Sequence, residues 1–504
     1  MSDNLYALIA AQFPADPAAV FLDVESGPPL LYRDIDRRAA RIATALAAHG
    51  AMAGDRVVAQ VDKSPDAVML YLACLRAGLV FVPVNTAYTA QEVAYFLSDA
   101  EAAVFVCRHS DSETAEALAR KTGVGAVVTL GDGSGSLLDA AGTAPAAADV
   151  AARSADDLAA ILYTSGTTGR PKGAMLTHGN LASNALVLRD YWGFTGGDVL
   201  LHALPIYHVH GLFVALHCAL LSGARVIFQH GFAAERAIAR LSDATVMMGV
   251  PTYYTRLLDT PEFTAEAARN VRLFISGSAP LLEETFAAFE ARTGKRILER
   301  YGMTEVGMAC SNPLDGERVA GTVGFALPGV SVRIADEAGR EVPRGGVGVL
   351  EMTGPNVFSG YWRLPDKTAE EFRPDGFFVS GDMATIDETG RVSIVGRAKD
   401  LIISGGLNVY PKEVEQCLDA LPGVRESAVF GIAHPDFGEG VTGAVVPDGS
   451  AELDPEALLA GLADTLARFK QPKRLFIVDE LPRNAMGKVQ KNALRDRYTN
   501  IYTG

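Results

Sequence analysis

The segment from Tyr163 to Gly173 concentrates the residue types that bind phosphate groups. Its sequence, Tyr-Thr-Ser-Gly-Thr-Thr-Gly-Arg-Pro-Lys-Gly, contains three glycines, four aliphatic hydroxyls and one lysine. Glycines let the backbone approach a polyphosphate closely, hydroxyl and N–H groups donate to its oxygens, and lysine adds a positive charge. It is not a Walker loop, because no Gly-Lys-Ser or Gly-Lys-Thr ends a GxxxxGK frame. A solvated turn is the alternative for a bare Gly/Thr loop, so only the whole string indicates a phosphate site.

Alternating helices and strands must position that segment. Residues 30–130 alternate helical stretches with short valine-rich runs, which is typical of a mostly parallel sheet covered by helices. Residues 323–395 are rich in short strands separated by Gly, Pro and Asp, as in a small barrel. A helix beginning at Pro411 then opens a region of different texture. We predict an α/β fold, with a large N-terminal domain of stacked α/β layers plus a small β-barrel (residues 1–398) and a smaller mobile α+β C-terminal domain (residues 399–504).

The amino-acid composition limits the kinds of partner that the protein is expected to bind. The 504 residues carry a formal net charge of −15, and such an acidic chain repels nucleic acid and anionic membrane surfaces. The most apolar stretch, residues 68–84, is interrupted by Arg76, Gly78 and Pro83, which argues against a transmembrane helix. Five dispersed cysteines and the absence of a signal-peptide pattern predict a cytoplasmic protein with reduced thiols. We expect neither a nucleic-acid partner nor membrane insertion.

Two strings carry a family resemblance. Residues Thr164 to Gly173 resemble the phosphate-binding motif of the adenylate-forming superfamily, which includes acyl-CoA synthetases, luciferases and peptide-synthetase adenylation domains. Tyr301-Gly302-Met303-Thr304-Glu305 resembles the second diagnostic motif of that superfamily. The resemblance covers nearly the whole chain and is strongest to the acyl-CoA synthetase branch. It implies that a carboxylic acid is activated by MgATP as an acyl-adenylate and then transferred to coenzyme A.

The resemblance also implies a nucleotide site. Asp382 is similar to the aspartate that binds the ribose hydroxyls, and a carboxylate can accept both hydrogen bonds. Thr167 and Glu305 would hold Mg²⁺, which prefers oxygen ligands, although an isolated Thr-Glu pair could instead cap a helix. The predicted nucleotide-binding residues are Thr164, Ser165, Gly166, Thr167, Thr168, Gly169, Lys172, Gly277, Ser278, Glu299, Arg300, Tyr301, Gly302, Thr304, Asp382 and Arg397.

Catalytic and CoA-binding roles follow from the same resemblance. Lys488, in Pro482–Val489, is similar to the lysine that bridges the attacking carboxylate and the α-phosphate. As a lysine it is also a potential target of a lysine acetyltransferase. Lys399 matches the hinge between the domains. The predicted catalytic set is Lys488, His208, Glu305 and Thr304, and the predicted site for the pantetheine arm of CoA is Gly405, Gly406, Leu407 and Asn408. A solvated lysine and a surface turn are the alternatives.

Two arginines indicate which acid is used. A second carboxylate buried in a pocket needs a positioned cation, and guanidinium groups supply two parallel donors. Arg256 and Arg300 resemble the arginines that hold the distal carboxylate in malonyl-CoA synthetases. In the alternative interpretation, Arg300 pairs with Glu299 and Arg256 reaches solvent. The predicted acid-binding residues are His208, Arg256, Ser278, Arg300 and Met303.

The sequence therefore predicts ATP-dependent ligation of malonate to CoA, and it leaves open whether methylmalonate is also accepted. Three other functions stay open at this point. One is a medium-chain or aryl acid–CoA ligase, and another is a stand-alone adenylation enzyme that loads a carrier protein. The third is a nucleotide-binding regulator without chemistry, although Glu305 and Lys488 argue against it. Zinc binding by the histidines of residues 202–210 is disfavoured, because no cysteine or carboxylate lies near them in the sequence.

Overall fold

The computed structural model describes residues 3–164, 171–404, 407–463, 465–484 and 487–502. The strands in this part of the chain are β1 (Val20–Val24), β2 (Leu30–Leu31), β3 (Arg56–Gln60), β4 (Val80–Pro83), β5 (Ala102–Cys107), β6 (Ala126–Thr129), β7 (Leu158–Thr164), β8 (Lys172–Thr177), β9 (Val199–His202), β10 (Arg225–Phe228), β11 (Val246–Gly249), β12 (Leu273–Ser276), β13 (Leu298–Met303), β14 (Gly307–Ser311), β15 (Phe325–Ala326), β16 (Ser331–Ala335), β17 (Gly348–Thr353), β18 (Phe378–Ile386), β19 (Val392–Arg397), β20 (Ile402–Ser404), β21 (Leu407–Val409), β22 (Val424–His434), β23 (Gly438–Pro447) and β24 (Arg474–Ile477).

Helices occupy most of the connections. The α-helices are α1 (Leu5–Ala10), α2 (Tyr32–Ala48), α3 (Pro65–Ala77), α4 (Ala90–Asp99), α5 (Ser112–Thr122), α6 (Ser136–Thr143), α7 (His178–Tyr191), α8 (Leu216–Ser222), α9 (Ala234–Leu241), α10 (Pro251–Leu258), α11 (Glu283–Thr293), α12 (Pro365–Glu370), α13 (Pro411–Asp419), α14 (Pro455–Gly461) and α15 (Lys491–Arg497). Short 3₁₀ turns lie at His109–Asp111 and Ala398–Asp400, and His210–Ala215 form a π-helical turn.

In helix α3, the local sequence determines where the helix begins and ends, and most of its side chains are buried. Ser64 Oγ accepts from the N–H of Ala67 at 3.1 Å, Pro65 occupies the first turn, and Gly78 ends the helix at φ +67°. Residues 68–75 are at most 1% exposed. The most apolar stretch of the sequence is therefore a buried helix followed by β4. Among the described residues, no helix has both the length and the apolarity to cross a membrane.

Two large sheets organise the N-terminal part of the described chain. The six-stranded sheet has the order β6-β5-β3-β4-β7-β8 and is parallel except for the β7–β8 pair. The nine-stranded sheet has the order β15-β14-β13-β12-β11-β9-β10-β1-β2. Its central strands β13, β12, β11, β9, β10 and β1 are parallel. The region predicted to be a small barrel contains a four-stranded antiparallel sheet, β16-β17-β18-β19. The predicted α/β class, with a large N-terminal and a smaller C-terminal part, is confirmed.

The C-terminal part has its own sheet and core. Strands β21-β20-β23-β22 form one path, and β24 pairs with β23. Side chains of α13, such as Val414 and Leu418, are fully buried against this sheet. Strand β19 ends at Arg397 and β20 begins at Ile402. A hydrogen bond of 3.1 Å from Gln416 Nε2 to Glu283 Oε1 joins α13 to α11 of the N-terminal part.

Candidate active site

The two ends of the predicted phosphate segment lie side by side. Thr164 ends β7 and pairs across the antiparallel ladder with Lys172, which begins β8. The intervening Ser165, Gly166, Thr167, Thr168 and Gly169 lie outside the described residues. The ammonium of Lys172 is 2.7 Å from Glu371 Oε1 and 3.9 Å from the centroid of the Tyr361 ring. The phosphate lysine is thus held by a carboxylate and an aromatic face.

A hydrogen-bonded network connects this lysine to Glu305. The Tyr361 hydroxyl is 3.1 Å from Glu305 Oε1 and 2.7 Å from Glu371 Oε2. The Thr164 hydroxyl donates to Glu305 Oε1 at 3.4 Å. Glu305 is only 5% exposed, and burial raises its pKa. Sequence reasoning missed Tyr361 and Glu371, because nothing in their local sequence indicates contact with a loop nearly two hundred residues away.

The Glu305 carboxylate suits a magnesium ion chemically, since it is a buried oxygen ligand beside the phosphate segment. In the described part of the chain no group of three or more His, Cys, Asp or Glu side chains could hold a metal. A metal here would need oxygens from the nucleotide, as Mg²⁺ sites on phosphates usually do. The same finding gives no support to zinc at the histidines.

Three predicted nucleotide residues meet at the β18–β19 pair. Asp382 and Arg397 are direct cross-strand neighbours, and Arg397 Nε donates to Asp382 Oδ1 at 2.7 Å. The Tyr301 hydroxyl donates to Asp382 Oδ2 at 2.5 Å. Each carboxylate oxygen has a second lone-pair site available, so Asp382 can still accept hydrogen bonds from a ribose.

The β13–β14 hairpin carries the second motif. A Cβ added to Gly302 would overlap the carbonyl oxygen of Gly307, so the hairpin requires glycine there. The Tyr301 hydroxyl lies 3.9 Å from Met303 Sδ. Thr304 is partly exposed in the turn that follows β13. The hairpin therefore places Glu305 beside the phosphate segment and Tyr301 beside Asp382.

Arg300 is buried, and no carboxylate in the described part of the chain forms an ion pair with it. It is 3% exposed, and among the described residues its Nε and Nη2 have no hydrogen-bond partner. Its guanidinium lies over Gly277, where an added Cβ would overlap it. Burial lowers the pKa of Arg300 to about 10, so the group is still charged at neutral pH. The sequence folds to bring a desolvated cation next to the Gly277-Ser278 backbone.

Glu299 does not neutralise Arg300. Consecutive strand residues point to opposite faces, and Glu299 Oε1 accepts from the N–H of Leu281 at 3.4 Å. Burial raises the pKa of Glu299 to about 7. No ion pair joins the two side chains in the structure of the described residues. The alternative interpretation of Arg300 as the partner of Glu299 is therefore not supported.

Two histidines lie within electrostatic reach of Arg300. Burial, followed by the charges of Arg300 and Lys488, lowers the pKa of His208 to about 4, so this imidazole is neutral at neutral pH. His210 is 1% exposed, and its Nδ1 lies 3.3 Å from the hydroxyl of Ser278, a residue with φ +73°. His210 was not among the predicted site residues, although the His-Val-His spacing placed it beside His208.

The expected burial of Arg256 is wrong. Its side chain is exposed in the last turn of α10, because Tyr254 and Leu257 form the buried face of this short helix. Arg256 shares a face with Thr252, one turn earlier. A Cβ on Gly487 would lie 3.1 Å from Thr252 Oγ1. Arg256 therefore lies on the helix face that is turned toward the loop carrying Lys488, at the surface of the protein.

The Asn484 side chain binds the backbone at Lys488. The N–H of Lys488 donates to Asn484 Oδ1 at 2.9 Å, and Gly487 adopts φ +74°. Arg483 donates to the Gly487 carbonyl and pairs with Glu426 on β22. Burial, followed by the charge of Arg397, lowers the pKa of Lys488 to about 8. The lysine thus lies within electrostatic reach of the Asp382–Arg397 pair.

The predicted hinge residue and the two described CoA residues are at the surface. Lys399 is exposed in the turn between β19 and β20. Leu407, which is 49% exposed, and Asn408 lie on the β20–β21 hairpin. Gly405 and Gly406 lie outside the described residues.

Similarity to known proteins identifies the class to which this chain belongs. Residues 7–362 match the AMP-binding enzyme family and residues 413–488 match the AMP-binding enzyme C-terminal domain. The chain belongs to the AMP-binding enzyme family.

Two curated relatives and one solved structure are similar to this chain over most of its length. The chain is 35% identical to a malonate–CoA ligase of Arabidopsis thaliana, over 90% of this chain and 79% of the relative. It is 37% identical to a feruloyl-CoA synthase of an Amycolatopsis species, over 94% of both. It matches the crystal structure of ATP-bound MatB from Rhodopseudomonas palustris with 55% identity and a TM-score of 0.98, over 100% of both chains.

Proposed function

We propose that this protein is an ATP-dependent malonate–CoA ligase that converts malonate, ATP and CoA into malonyl-CoA, AMP and pyrophosphate through a malonyl-adenylate. The observation that carries the proposal is the buried guanidinium of Arg300, which has no ion-pair partner among the described residues. The similarity to MatB and to a malonate–CoA ligase supports the same conclusion.

A distal carboxylate is the group that completes this site. A buried cation without a partner costs several kcal/mol, and the alkyl or aryl end of a monocarboxylic acid would leave Arg300 in that state. A carboxylate can accept two parallel hydrogen bonds from one guanidinium. Methylmalonate has the same two carboxylates and is the second proposed substrate. A medium-chain or aryl acid has no second carboxylate that could pair with Arg300.

The site also favours a short diacid. The charges of both Arg300 and Lys488 lower the pKa of His208, so both cations lie within electrostatic reach of this imidazole. One carboxylate would bind at Arg300 and the other would face Lys488. Arg256, at the surface on the helix face toward the Lys488 loop, is proposed to attract the dianion as it enters.

The first half-reaction is assigned to the N-terminal part and Lys488. A carboxylate oxygen attacks the α-phosphorus of ATP, the bond from that phosphorus to the β-phosphate oxygen breaks, and pyrophosphate leaves. Lys488 stabilises the charge on the attacking carboxylate and the α-phosphate, while Asp382 and Arg397 hold the ribose. Thr167 and Glu305 are proposed to hold Mg²⁺, which would neutralise charge on the phosphates.

The second half-reaction is assigned to the CoA segment. The CoA sulfur attacks the acyl carbon of the adenylate, and AMP leaves with the electrons of the broken bond. We propose that residues 399–504 turn about Lys399 relative to residues 1–398, so that Gly405, Gly406, Leu407 and Asn408 replace Lys488 at the site. The exposure of Leu407 is consistent with a surface that is used in another domain arrangement.

A panel of acids tests the proposed function. CoA-thioester formation is measured by mass spectrometry with malonate, methylmalonate, butyrate, benzoate and ferulate. We expect malonyl-CoA to form fastest and the monocarboxylic acids to react poorly. Faster turnover of an aryl or alkyl acid would replace malonate. Pyrophosphate exchange without thioester formation would indicate a carrier-loading enzyme, and the absence of both reactions would indicate a regulator.

The protonation of Lys488 predicts a pH dependence. Its ammonium is charged below the pKa of about 8 and neutral above it, and kcat/KM reports the ionisation of the free enzyme. We expect kcat/KM for adenylation to fall as the pH rises through about 8. Lys488→Arg is the matched control, because a guanidinium keeps its charge throughout this range. An unchanged alkaline fall in that variant would assign the ionisation to another group.

The close approach of Arg300 to Gly277 predicts the effect of a single methyl group. Gly277→Ala would push the guanidinium away from the acid site, and we expect malonate kcat/KM to fall about 10²-fold, as for a small misplacement of a binding group. Gly142→Ala is the control, because an added Cβ there meets nothing within 4 Å. Both variants are measured by steady-state kinetics. A Gly277→Ala enzyme with the malonate kcat/KM of the wild type would contradict this account.

Acetylation of Lys488 is proposed as a way to stop the first half-reaction. Acetylation removes the positive charge, so enzyme carrying acetyl-lysine at this position should lose adenylation and keep thioester formation from added malonyl-adenylate. Acetyl-lysine at the exposed Lys121 is the control. Full adenylation activity of protein acetylated at Lys488 would disprove the proposal.

A further inference from the structure

A chain of hydrogen bonds between the half-buried Lys63 and the fully buried His202 connects the two large sheets behind the acid-binding residues. Lys63 lies in the turn between β3 of the six-stranded sheet and α3, and His202 ends β9 of the nine-stranded sheet. The Lys63 ammonium is 2.8 Å from His202 Nδ1 and 3.0 Å from the His202 carbonyl oxygen. His202 Nε2 is 2.9 Å from the carbonyl oxygen of Gly211.

The geometry determines which atoms of this chain donate. The Gly211 carbonyl can only accept, so Nε2 of His202 must carry the proton. Burial, followed by the charge of Lys63, lowers the pKa of His202 well below its usual range, and the neutral ring leaves Nδ1 as an acceptor for Lys63. The ring is fully buried and stacks on Phe228, with centroids 5.6 Å apart. Lys63 Nζ lies 4.4 Å from the centroid of the same Phe228 ring.

The hydrogen bonds of Lys63 and His202 hold the segment that carries His208 and His210, the two histidines near Arg300. His202 is bonded covalently to Ala203 at the start of the segment, and its imidazole holds the segment's end at Gly211. A Cβ on Gly211 would overlap the carbonyl oxygen of Pro205, so the loop closes tightly on itself. Its last residues enter the π-helical turn His210–Ala215, a form of backbone found mostly at functional sites. Hydrogen bonds from the His202 ring to the Gly211 carbonyl and from the Tyr253 hydroxyl to the Ala203 carbonyl hold the two ends of the loop, residues 203–211.

We propose that Lys63 and His202 are positioning residues that set loop 203–211, and through it His208 and His210, against Arg300 and Ser278. Neither residue touches the acid. Lys63 fixes the tautomer and orientation of His202, and His202 fixes the carbonyl of Gly211. Through Lys63, the six-stranded sheet thereby helps to determine the affinity for the acid. The inference deepens the proposed function and rests on it for the identity of the acid.

Lys63→Met keeps the length of the side chain and removes its donors. We expect KM for malonate to rise about 10- to 100-fold, the effect of a displaced positioning group, while KM for ATP stays within about twofold of wild type because the ribose and phosphate residues lie elsewhere. Lys63→Arg, which retains donors for Nδ1 and the carbonyl, should restore much of the malonate affinity. Lys121→Met, at an exposed lysine, is the control.

A purely structural role gives a different result. A lower melting temperature with unchanged KM for both substrates, or an equal rise of both KM values, would overturn the proposal. If Lys63→Met does not fold, Lys63→Gln is measured in the same way. If the wild type prefers an acid other than malonate, the proposed function fails, and KM for that acid in the same variants still decides the role of Lys63.

Discussion

Lys488→Ala is expected to lower the rate of adenylate formation about 10³-fold, the scale seen when a charge-stabilising donor is removed from a reacting group. The side chain is largely shielded from water and lies within electrostatic reach of Arg397 and Asp382, so its charge acts in a site where water cannot replace it. Malonate-dependent exchange between ATP and pyrophosphate measures this step. Thioester formation from added malonyl-adenylate should be nearly unchanged, because Lys488 belongs to the first half-reaction alone.

A second lysine of the same domain is the control for this loss. The ammonium of Lys473 lies over the Phe437 ring at 3.9 Å, away from the nucleotide residues in its contacts. Lys473→Ala should keep the exchange rate of the wild type. Equal losses in both half-reactions of Lys488→Ala would mean that the lysine supports the fold of the domain and not the chemistry.

Arg300→Met is expected to cost about 3–5 kcal/mol in malonate kcat/KM, the magnitude for removing one partner of a buried ion pair. Methionine fills a similar length without charge, so the site keeps its packing and loses only its cation. Arg256→Met should cost about 1 kcal/mol or less, because exposed charges are screened by solvent. Binding of ATP, measured by calorimetry, should be nearly unchanged in both variants.

The same substitution should change the preference between acids. Removal of the unpaired charge removes the penalty against an apolar acyl end, so butyrate should react faster in Arg300→Met than in the wild type. Malonate turnover within about threefold of wild type would show that Arg300 does not carry the binding energy of a second carboxylate.

The resemblance to a known family assigned roles most readily to residues on contiguous motifs. Residues 164–173 and Tyr301–Glu305 each carry several candidate functional groups within one short motif, so the family resemblance alone was enough to propose them. The residues that depend on packing between distant elements were harder to find. Tyr361 and Glu371 reach Lys172 because Trp362 N–H donates to the Gly173 carbonyl at 2.7 Å, a contact that no local pattern shows.

Burial was the property that the sequence predicted least well. Arg256 and Arg300 looked equivalent as charged residues in apolar surroundings. Their difference comes from tertiary structure, because Arg300 lies on the inner strand β13 whereas Arg256 is on the outer face of α10. His202 and Lys63 are 139 residues apart and meet only where the two sheets face one another. Such contacts follow from sheet order, which alternating helices and strands do not determine by themselves.

The most direct test of the account is a crystal structure of the protein with malonyl-sulfamoyl-adenosine, a stable mimic of the malonyl-adenylate. We predict that the distal carboxylate lies about 3 Å from the guanidinium nitrogens of Arg300, at the distance of a charged hydrogen bond. A distal carboxylate that points into solvent, with Arg300 still unpaired, would contradict the central claim.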